Sequence, residues 1–369
     1  MNLYLFRLPI MQVLVDRGHK VYAICPSGAY SEAFAEYGIE HCAYQIERES
    51  LNPLKERRFV ENIYRTISPL GLDLLHTFTA KPNIYGTFAA KRANVPVIVN
   101  LVEGLGSFYV EETMKNKIVR FIIEKLYQKA FTLSNRVVFV NSDDPRYMVE
   151  KGIIEPAKVK IIKSVGIDTD TFAPDTLLKE DVDKLKKELD LEGKMIVLMV
   201  ARAIWHKGVR EFYEAAESFD SARVQFVLVG DIDRGNPSSV PEEFLKNGRV
   251  MWLGHRDDIV ALTAMADIYV LPSYREGVPR TLLEAASMGK PIVTTDTVGC
   301  KEVVEEGRNG FLVPVRNVEA LVGRIRLLTE DAGLREAMGK ESRRKAVEEF
   351  DIKRVVDQYL ALYGEYYVV

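Results

Sequence analysis

Short apolar, β-branched runs alternate with helical hydrophobic patterns along the chain. This alternation predicts parallel sheets built from βαβ units, and hence an α/β fold with two Rossmann-like domains. In the first half the predicted strands are Val21–Cys25, Cys42–Tyr44, Leu72–His76, Val97–Val102, Val137–Asn141 and Val159–Ile162. In the second half they are Met195–Ala201, Gln225–Gly230, Val250–Leu253, Ile268–Pro272, Pro291–Thr294 and Phe311–Val313.

Domain boundaries follow from breaks in this pattern. Asp168–Gly193 contains Pro174 and a charged stretch between the two sets of strands, which predicts an interdomain connection. After Pro314 only helical patterns remain, and the last predicted helix covers about Asp351–Tyr363. The predicted divisions are an N-terminal domain at 1–168, a C-terminal domain at 169–350, and a terminal helix at 351–369 that packs back toward the first domain.

The beginning of the chain departs from a Rossmann pattern. Such a domain normally starts with a strand and a glycine-containing turn that leads into the first helix. Here Phe6–Arg17 already has the pattern of that helix, so only Met1–Leu5 precedes it. Either these residues form a stub of a strand or the sequence starts after it, and the first domain is expected to lack most of its first strand.

Composition restricts the class of protein. The 369 residues are 47% hydrophobic and 28% charged, which suits two globular domains. A net charge of −3 does not indicate nucleic-acid binding, and no signal peptide or membrane-spanning run is evident, so a cytoplasmic location is expected. The three cysteines are far apart and have no metal-ligand spacing, so neither zinc nor a disulfide is expected.

The strongest local motif lies after the predicted strand at 268–272. Glu276 and Glu284 flank the start of a helix, where free backbone N–H groups favour a diphosphate. Glu284 is placed to reach a ribose diol, and Glu276 to accept hydrogen bonds from sugar hydroxyls. The alternative is a surface loop with a solvated charge pair. The donor-binding residues predicted in this motif are Glu276, Gly277, Val278, Pro279, Thr281, Leu282 and Glu284.

Two further turns follow predicted strands in the same half. Arg202 and Lys207 lie on one turn, where two cations would neutralise a leaving diphosphate; as an alternative they are ordinary surface cations. Gly254 and Arg256 lie on another turn, whose backbone groups could face a nucleotide base.

These segments, in this order and spacing, resemble glycosyltransferase family 4. The resemblance implies the two-domain GT-B fold, with the domains facing a cleft, and metal-independent transfer with retention of anomeric configuration. It implies that Glu276, a catalytic candidate, contacts the donor sugar and Glu284 the ribose. It further implies that Arg202 and Lys207 bind the diphosphate and that the Gly254 turn binds the base. No cofactor is expected beyond the nucleotide-sugar donor, which is a substrate.

On the first domain, Glu103 and Gly104 follow a predicted strand where many family members carry His-Gly. The resemblance assigns Glu103, Gly104 and Lys81 to the acceptor side, with Glu103 as a catalytic candidate that positions or polarises the acceptor. The run Val102–Tyr109 is similar to family members that act on lipid-linked saccharides. This similarity implies a UDP-N-acetylhexosamine donor and a polyprenyl-diphosphate-linked sugar acceptor.

A predicted helix at Lys115–Phe131 mixes apolar and basic positions. Such a helix can lie on an anionic membrane surface, which predicts peripheral contact with the cytoplasmic membrane face; the alternative is a core-facing helix with a solvated cationic face. Two other functions stay open. One is a nucleotide-sugar epimerase of the same fold, and the other is an inactive, donor-binding scaffold.

Overall fold

A computed structural model of the chain describes residues 2–45 and 52–368. It divides into two compact units, one comprising Met1–Val165 with Lys353–Val369 and the other Gly166–Ile352. The predicted connection Asp168–Gly193 belongs to the second unit, where Leu185 and Leu191 are buried in the core. Its charged stretch is therefore the exposed face of a packed helix and not a linker.

The first unit contains two parallel sheets, one of two strands in the order β1-β2 and one of four in the order β3-β4-β5-β6. The strands are β1 (Tyr22–Ile24), β2 (Glu40–Cys42), β3 (Leu74–Phe78), β4 (Val97–Val102), β5 (Arg136–Phe139) and β6 (Val159–Ile161). Helix α1 (Asn2–Asp16) precedes β1, and the helices between the strands are α2 (Pro53–Ile67), α3 (Thr87–Arg92), α4 (Met114–Leu133) and α5 (Asp143–Glu150). All six residues of β4 are buried, as expected for a strand covered on both faces.

The described part of the chain begins with a helix. Helix α1 begins at Asn2, so one of the two alternatives for the residues before Phe6, a stub of a strand, is wrong for Asn2–Leu5. The Rossmann order places its first strand between the second and the fourth. In this unit β1 and β3 belong to two separate sheets, and a Rossmann first strand would lie between them.

The second unit has a six-stranded parallel sheet in the order β12-β11-β10-β7-β8-β9. Its strands are β7 (Met195–Val200), β8 (Val224–Val229), β9 (Val250–Trp252), β10 (Ile268–Leu271), β11 (Ile292–Thr295) and β12 (Gly310–Val313). Its helices are α6 (Lys179–Glu188), α7 (Val209–Ala216), α8 (Glu242–Leu245), α9 (Ile259–Met265), α10 (Arg280–Ser287), α11 (Cys300–Val303), α12 (Val318–Glu330) and α13 (Ala332–Lys345). Because the strands are parallel, their carboxyl ends lie along one edge of the sheet.

The final helix, α14 (Ile352–Gly364), lies with the first unit from Lys353 onward. Its Tyr363 hydroxyl is 2.7 Å from Nδ1 of His76 on β3. Among the residues that the structure describes, none of the helices has the length and apolarity needed to cross a membrane.

Candidate active site

The sequence-predicted residues of the second unit follow the carboxyl ends of β7, β9 and β10, at the edge of an open α/β sheet where ligands bind. An ion pair between Lys207 and Glu276 lies at this edge. Nζ of Lys207 lies 2.5 Å from Oε1 of Glu276, and the two side chains are 20% and 11% exposed. The hydroxyl of Ser273 donates to the same Oε1 at 2.6 Å. Two predicted residues thus contact each other, and their carboxylate is also bonded to Ser273, which was not predicted from the sequence.

Two glycines hold the loop that carries Glu276. Gly208 (φ 79°) lies so close to this loop that a Cβ there would be 2.1 Å from the carbonyl oxygen of Pro272. Gly299 (φ 83°) makes a similar approach, since its Cβ would be 2.2 Å from the carbonyl oxygen of Gly277. The N–H of Glu276 also donates to Val298 O at 3.1 Å. Only residues without a Cβ allow these approaches, so both glycines position the loop.

Helix α10 begins at Arg280 immediately after this loop, and Pro279 at its N-cap makes no side-chain capping bond. Its first turn therefore has no capping side chain in the way of an anion. Among the predicted contacts, Leu282 has a fully buried side chain and Val278 packs against the core. These two residues can contact a ligand only through their backbone or the exposed part of Val278.

Glu284 lies one turn into α10 and is 8% exposed. Burial raises the pKa of its carboxyl to about 7, and the neighbouring Arg280 opposes this shift. Nε of Arg280 donates to Oε1 of Glu284 at 3.0 Å. Arg280 was not predicted from the sequence, although its spacing of four residues from Glu284 on one helix face was the available signal.

Arg202 is 62% exposed, and its guanidinium lies 2.5 Å from Asp233 Oδ2 on the loop after β8. Arg202 and Lys207 are thus each paired with a carboxylate at the same edge of the sheet. Because Arg202 is largely hydrated, its ion pair adds little to stability and its head group can move to an anion at small cost.

The turn after β9 contains two further predicted residues, Gly254 and Arg256. Gly254 adopts φ 65°, and its carbonyl accepts from the N–H of Gly230 at 2.7 Å. Arg256 makes two hydrogen bonds to Asp258, at 2.8 and 2.6 Å. Asp258 is the residue that precedes helix α9, so Arg256 stabilises this turn through its bonds to Asp258.

In the first unit, Glu103 follows β4 directly, and its Oε1 lies 2.5 Å from Nη2 of Arg7 on α1. Gly104 has φ 148°, a conformation that side chains disfavour. Lys81 lies 2.7 Å from Oε1 of Glu56, with only 17% and 8% of the two side chains exposed. Each of the two predicted charged residues on this unit is therefore paired with a residue that was not predicted from the sequence.

Helix α4 exposes apolar side chains to solvent. Four of them form what we call the apolar ridge, with exposures of 73% for Met114, 56% for Ile118, 61% for Phe121 and 50% for Ile122. Val119 and Tyr127 are buried on the opposite face. The apolar positions predicted as one set thus belong to two faces, and the exposed lysines of α4 lie beside the ridge: Lys115, Lys117, Lys125 and Lys129.

Within residues 2–45 and 52–368, no group of three or more His, Cys, Asp or Glu side chains is arranged to hold a metal ion. Metal-independent transfer stays a prediction.

Known families match both parts of the chain. The family described as "Glycosyl transferase 4-like" matches residues 2–138, and "Glycosyl transferases group 1" matches residues 181–345. The chain is 39% identical over 362 residues to the N,N'-diacetylbacillosaminyl-diphospho-undecaprenol alpha-1,3-N-acetylgalactosaminyltransferase of Campylobacter jejuni, covering 98% of this chain and 95% of that protein. It is 28% identical to the UDP-Gal:alpha-D-GlcNAc-diphosphoundecaprenol alpha-1,3-galactosyltransferase of Escherichia coli, covering 85% and 81%.

Solved structures share the fold. HepE of Anabaena in complex with UDP and glucose superposes with a TM-score of 0.80 at 22% identity, covering 98% of this chain and 95% of that one. A glycosyltransferase from Rickettsia africae superposes with a TM-score of 0.82 at 22% identity, covering 99% and 94%. The predicted α/β, GT-B fold is thus confirmed, and the chain belongs to glycosyltransferase family 4.

Proposed function

We propose that the chain transfers an N-acetylhexosamine from UDP onto a polyprenyl-diphosphate-linked saccharide, with retention of configuration and without a metal. The observation that carries the donor half is the grouping of Lys207, Glu276 and the start of α10, with Glu284, along one edge of the second unit. The acceptor half is supported by the relatives in Campylobacter and Escherichia coli, both named for acceptors linked to undecaprenyl diphosphate.

In this proposal the donor diphosphate lies between Lys207, Arg202 and the N–H groups at the start of α10. These cations and the helix start supply positive charge where the departing UDP gains negative charge. Glu284 accepts hydrogen bonds from the ribose hydroxyls. Glu276, held by Lys207 and Ser273, accepts them from the sugar.

The acceptor oxygen then attacks C1 from the same face of the sugar as the departing UDP. The bond from the sugar C1 to the phosphate oxygen breaks with its electron pair going to UDP, and the acceptor oxygen bonds to C1. The acceptor proton passes to the departing phosphate oxygen, so the step balances without a metal or an enzyme nucleophile.

On the acceptor side, Glu103 receives or orients the acceptor hydroxyl at the end of β4, and Gly104 leaves space beside it. Lys81 contributes a cation for the acceptor diphosphate, in competition with Glu56. These roles rest on the resemblance to the family and on the placement of the residues after strands β4 and β3.

The lipid part of such an acceptor calls for contact with a membrane, and the exposed face of α4 suits it. The apolar ridge offers side chains that can enter the interfacial region, and the flanking lysines favour an anionic leaflet. We place the protein on the cytoplasmic face of the membrane as a peripheral protein.

A donor screen tests this function. UDP release is measured for UDP-N-acetylgalactosamine, UDP-N-acetylglucosamine, UDP-galactose and UDP-glucose, each with and without a polyprenyl-diphosphate-sugar acceptor. We expect acceptor-dependent release with an N-acetylhexosamine donor and an extended lipid product whose anomeric linkage is retained.

The rival functions give different products. Conversion of the donor sugar in the absence of acceptor would identify an epimerase. UDP binding without transfer across the whole panel would identify a scaffold.

A further inference from the structure

The guanidinium of Arg7 and the carboxylate of Glu103 form the ion pair that joins α1 to the end of β4. Their atoms Nη2 and Oε1 are 2.5 Å apart, and the side chains are 2% and 24% exposed. We propose that Arg7 is a positioning residue that fixes the orientation of the Glu103 carboxylate toward the acceptor hydroxyl. This inference rests on the proposed acceptor role of Glu103.

The surroundings of Arg7 make Glu103 the group that stabilises its buried charge. Its guanidinium lies 4.8 Å from the ring centre of Phe78, and Nε is buried without a hydrogen-bond partner. A buried guanidinium has lost its hydration and needs a carboxylate to offset that cost. Glu103 supplies it through the hydrogen bond that Oε1 accepts from Nη2 of Arg7.

The other polar groups packed nearby carry no charge that could replace Glu103. Burial, together with the charge of Arg7, lowers the pKa of His76 well below its usual value, so this imidazole is neutral. Burial also raises the pKa of Tyr359 to about 12 and that of Tyr363 further. His76 is bonded to Tyr363, and its ring lies 5.6 Å from that of Tyr359.

The two ends of this pair differ in exposure, and the difference fits a positioning role. The Arg7 side chain is buried, whereas a quarter of the Glu103 side chain faces out from the turn after β4. One oxygen of the carboxylate is held by Arg7 while the side chain still reaches the surface. A fixed carboxylate favours one approach of an acceptor hydroxyl, and misplacement by about 1 Å can reduce a rate about 100-fold.

A double-mutant cycle tests the proposal with Arg7→Met, Glu103→Gln and the combination of the two. Methionine keeps much of the packing on Phe78 while it removes the charge. For Arg7→Met we expect kcat for transfer to fall about 100-fold, with UDP affinity and KM for the UDP-sugar unchanged. Arg7→Lys should recover much of the rate, and the double variant should be no slower than Glu103→Gln alone, because both changes disable the same group.

The control is Arg136→Met, which breaks a half-exposed ion pair with Glu365 in the same unit and should leave kcat unchanged. A wild-type rate for Arg7→Met, or losses that multiply in the double variant, would overturn the positioning role while the proposed function stands. Full activity of Glu103→Gln would instead overturn its acceptor role, and this inference with it. Should Arg7→Met not fold, Arg7→Gln takes its place in the cycle, because glutamine also removes the charge, and the double variant with Glu103→Gln is again compared with Glu103→Gln alone.

Discussion

Lys207 and Glu276 are 69 positions apart in the chain, and their charged groups lie 2.5 Å from each other. The cation proposed for the diphosphate is therefore already bonded to the carboxylate proposed for the sugar. Because Ser273 also donates to that carboxylate, Glu276 keeps one hydrogen-bond donor if Lys207 is removed. The two residues should therefore respond differently to substitution.

We expect Lys207→Ala to weaken UDP binding about tenfold or more, because a charge-assisted hydrogen bond contributes roughly 1.5–3 kcal/mol. Titration calorimetry with UDP measures this. Lys246→Ala serves as the control, since Lys246 is an exposed cation of the same unit that pairs with Glu242. Equal UDP affinity of the two variants would contradict a diphosphate role for Lys207.

Glu276→Ala should leave UDP affinity nearly intact and reduce turnover, because UDP lacks the sugar that Glu276 is proposed to contact. The measurements are calorimetry with UDP and kcat with the UDP-sugar. A loss of UDP affinity as large as that of Glu284→Gln would mean that the roles of the two glutamates are exchanged.

Binding of the UDP-sugar should depend on pH through Glu284. Its carboxyl has a pKa of about 7, so it is largely ionised at pH 8 and largely protonated at pH 6. The ionised form is the stronger acceptor for ribose hydroxyls, so affinity should fall about tenfold between pH 8 and pH 6. UDP-sugar is the suitable probe because its diphosphate does not titrate in this range.

The matched control for this pH dependence is Glu284→Gln, which cannot ionise. Its affinity should be low and nearly constant from pH 6 to pH 8. If the variant keeps the wild-type slope, the titrating group is not Glu284.

Gly299→Ala should displace the loop that carries Glu276 and Gly277, since the added Cβ would meet Gly277 O at 2.2 Å. We expect about a 100-fold loss of kcat/KM for the UDP-sugar. Gly307→Ala is the matched control, because Gly307 has a similar φ of 74° and nothing within 4 Å of its Cβ position. If both variants lose activity equally, backbone strain and not the collision with the loop is responsible.

Replacing Lys117, Lys125 and Lys129 by Gln should weaken binding to vesicles that contain anionic phospholipid about 100-fold, at about 1 kcal/mol for each lysine near the surface. Phe121→Ser should reduce binding further, since it removes an exposed ring of the apolar ridge. Vesicle flotation measures both, and Leu327→Ser, at an exposed apolar position in the second unit, is the control. No loss of vesicle binding in the α4 variants would exclude this helix as the membrane contact.

The sequence by itself determined the approximate positions of the strands along the chain and the residues that follow their carboxyl ends. The pattern of apolar residues marks buried strands such as Met195–Val200 and the turns that follow them. Arg202, Lys207 and the start of the Glu276–Glu284 motif lie in these turns. Periodicity also identified α4 as a helix.

Only the tertiary structure decided which side chains meet and which face water. The spacing of α4 does not distinguish Val119, which is buried, from Ile118, which is exposed, because apolar residues occur on both faces of this helix and only the packing of other elements decides which face is covered. Likewise, no local pattern pairs Arg7 with Glu103 or brings Gly299 against Gly277. These contacts join segments far apart in the chain, and they arise only when parallel strands place their exit turns along one edge and a helix packs beside them.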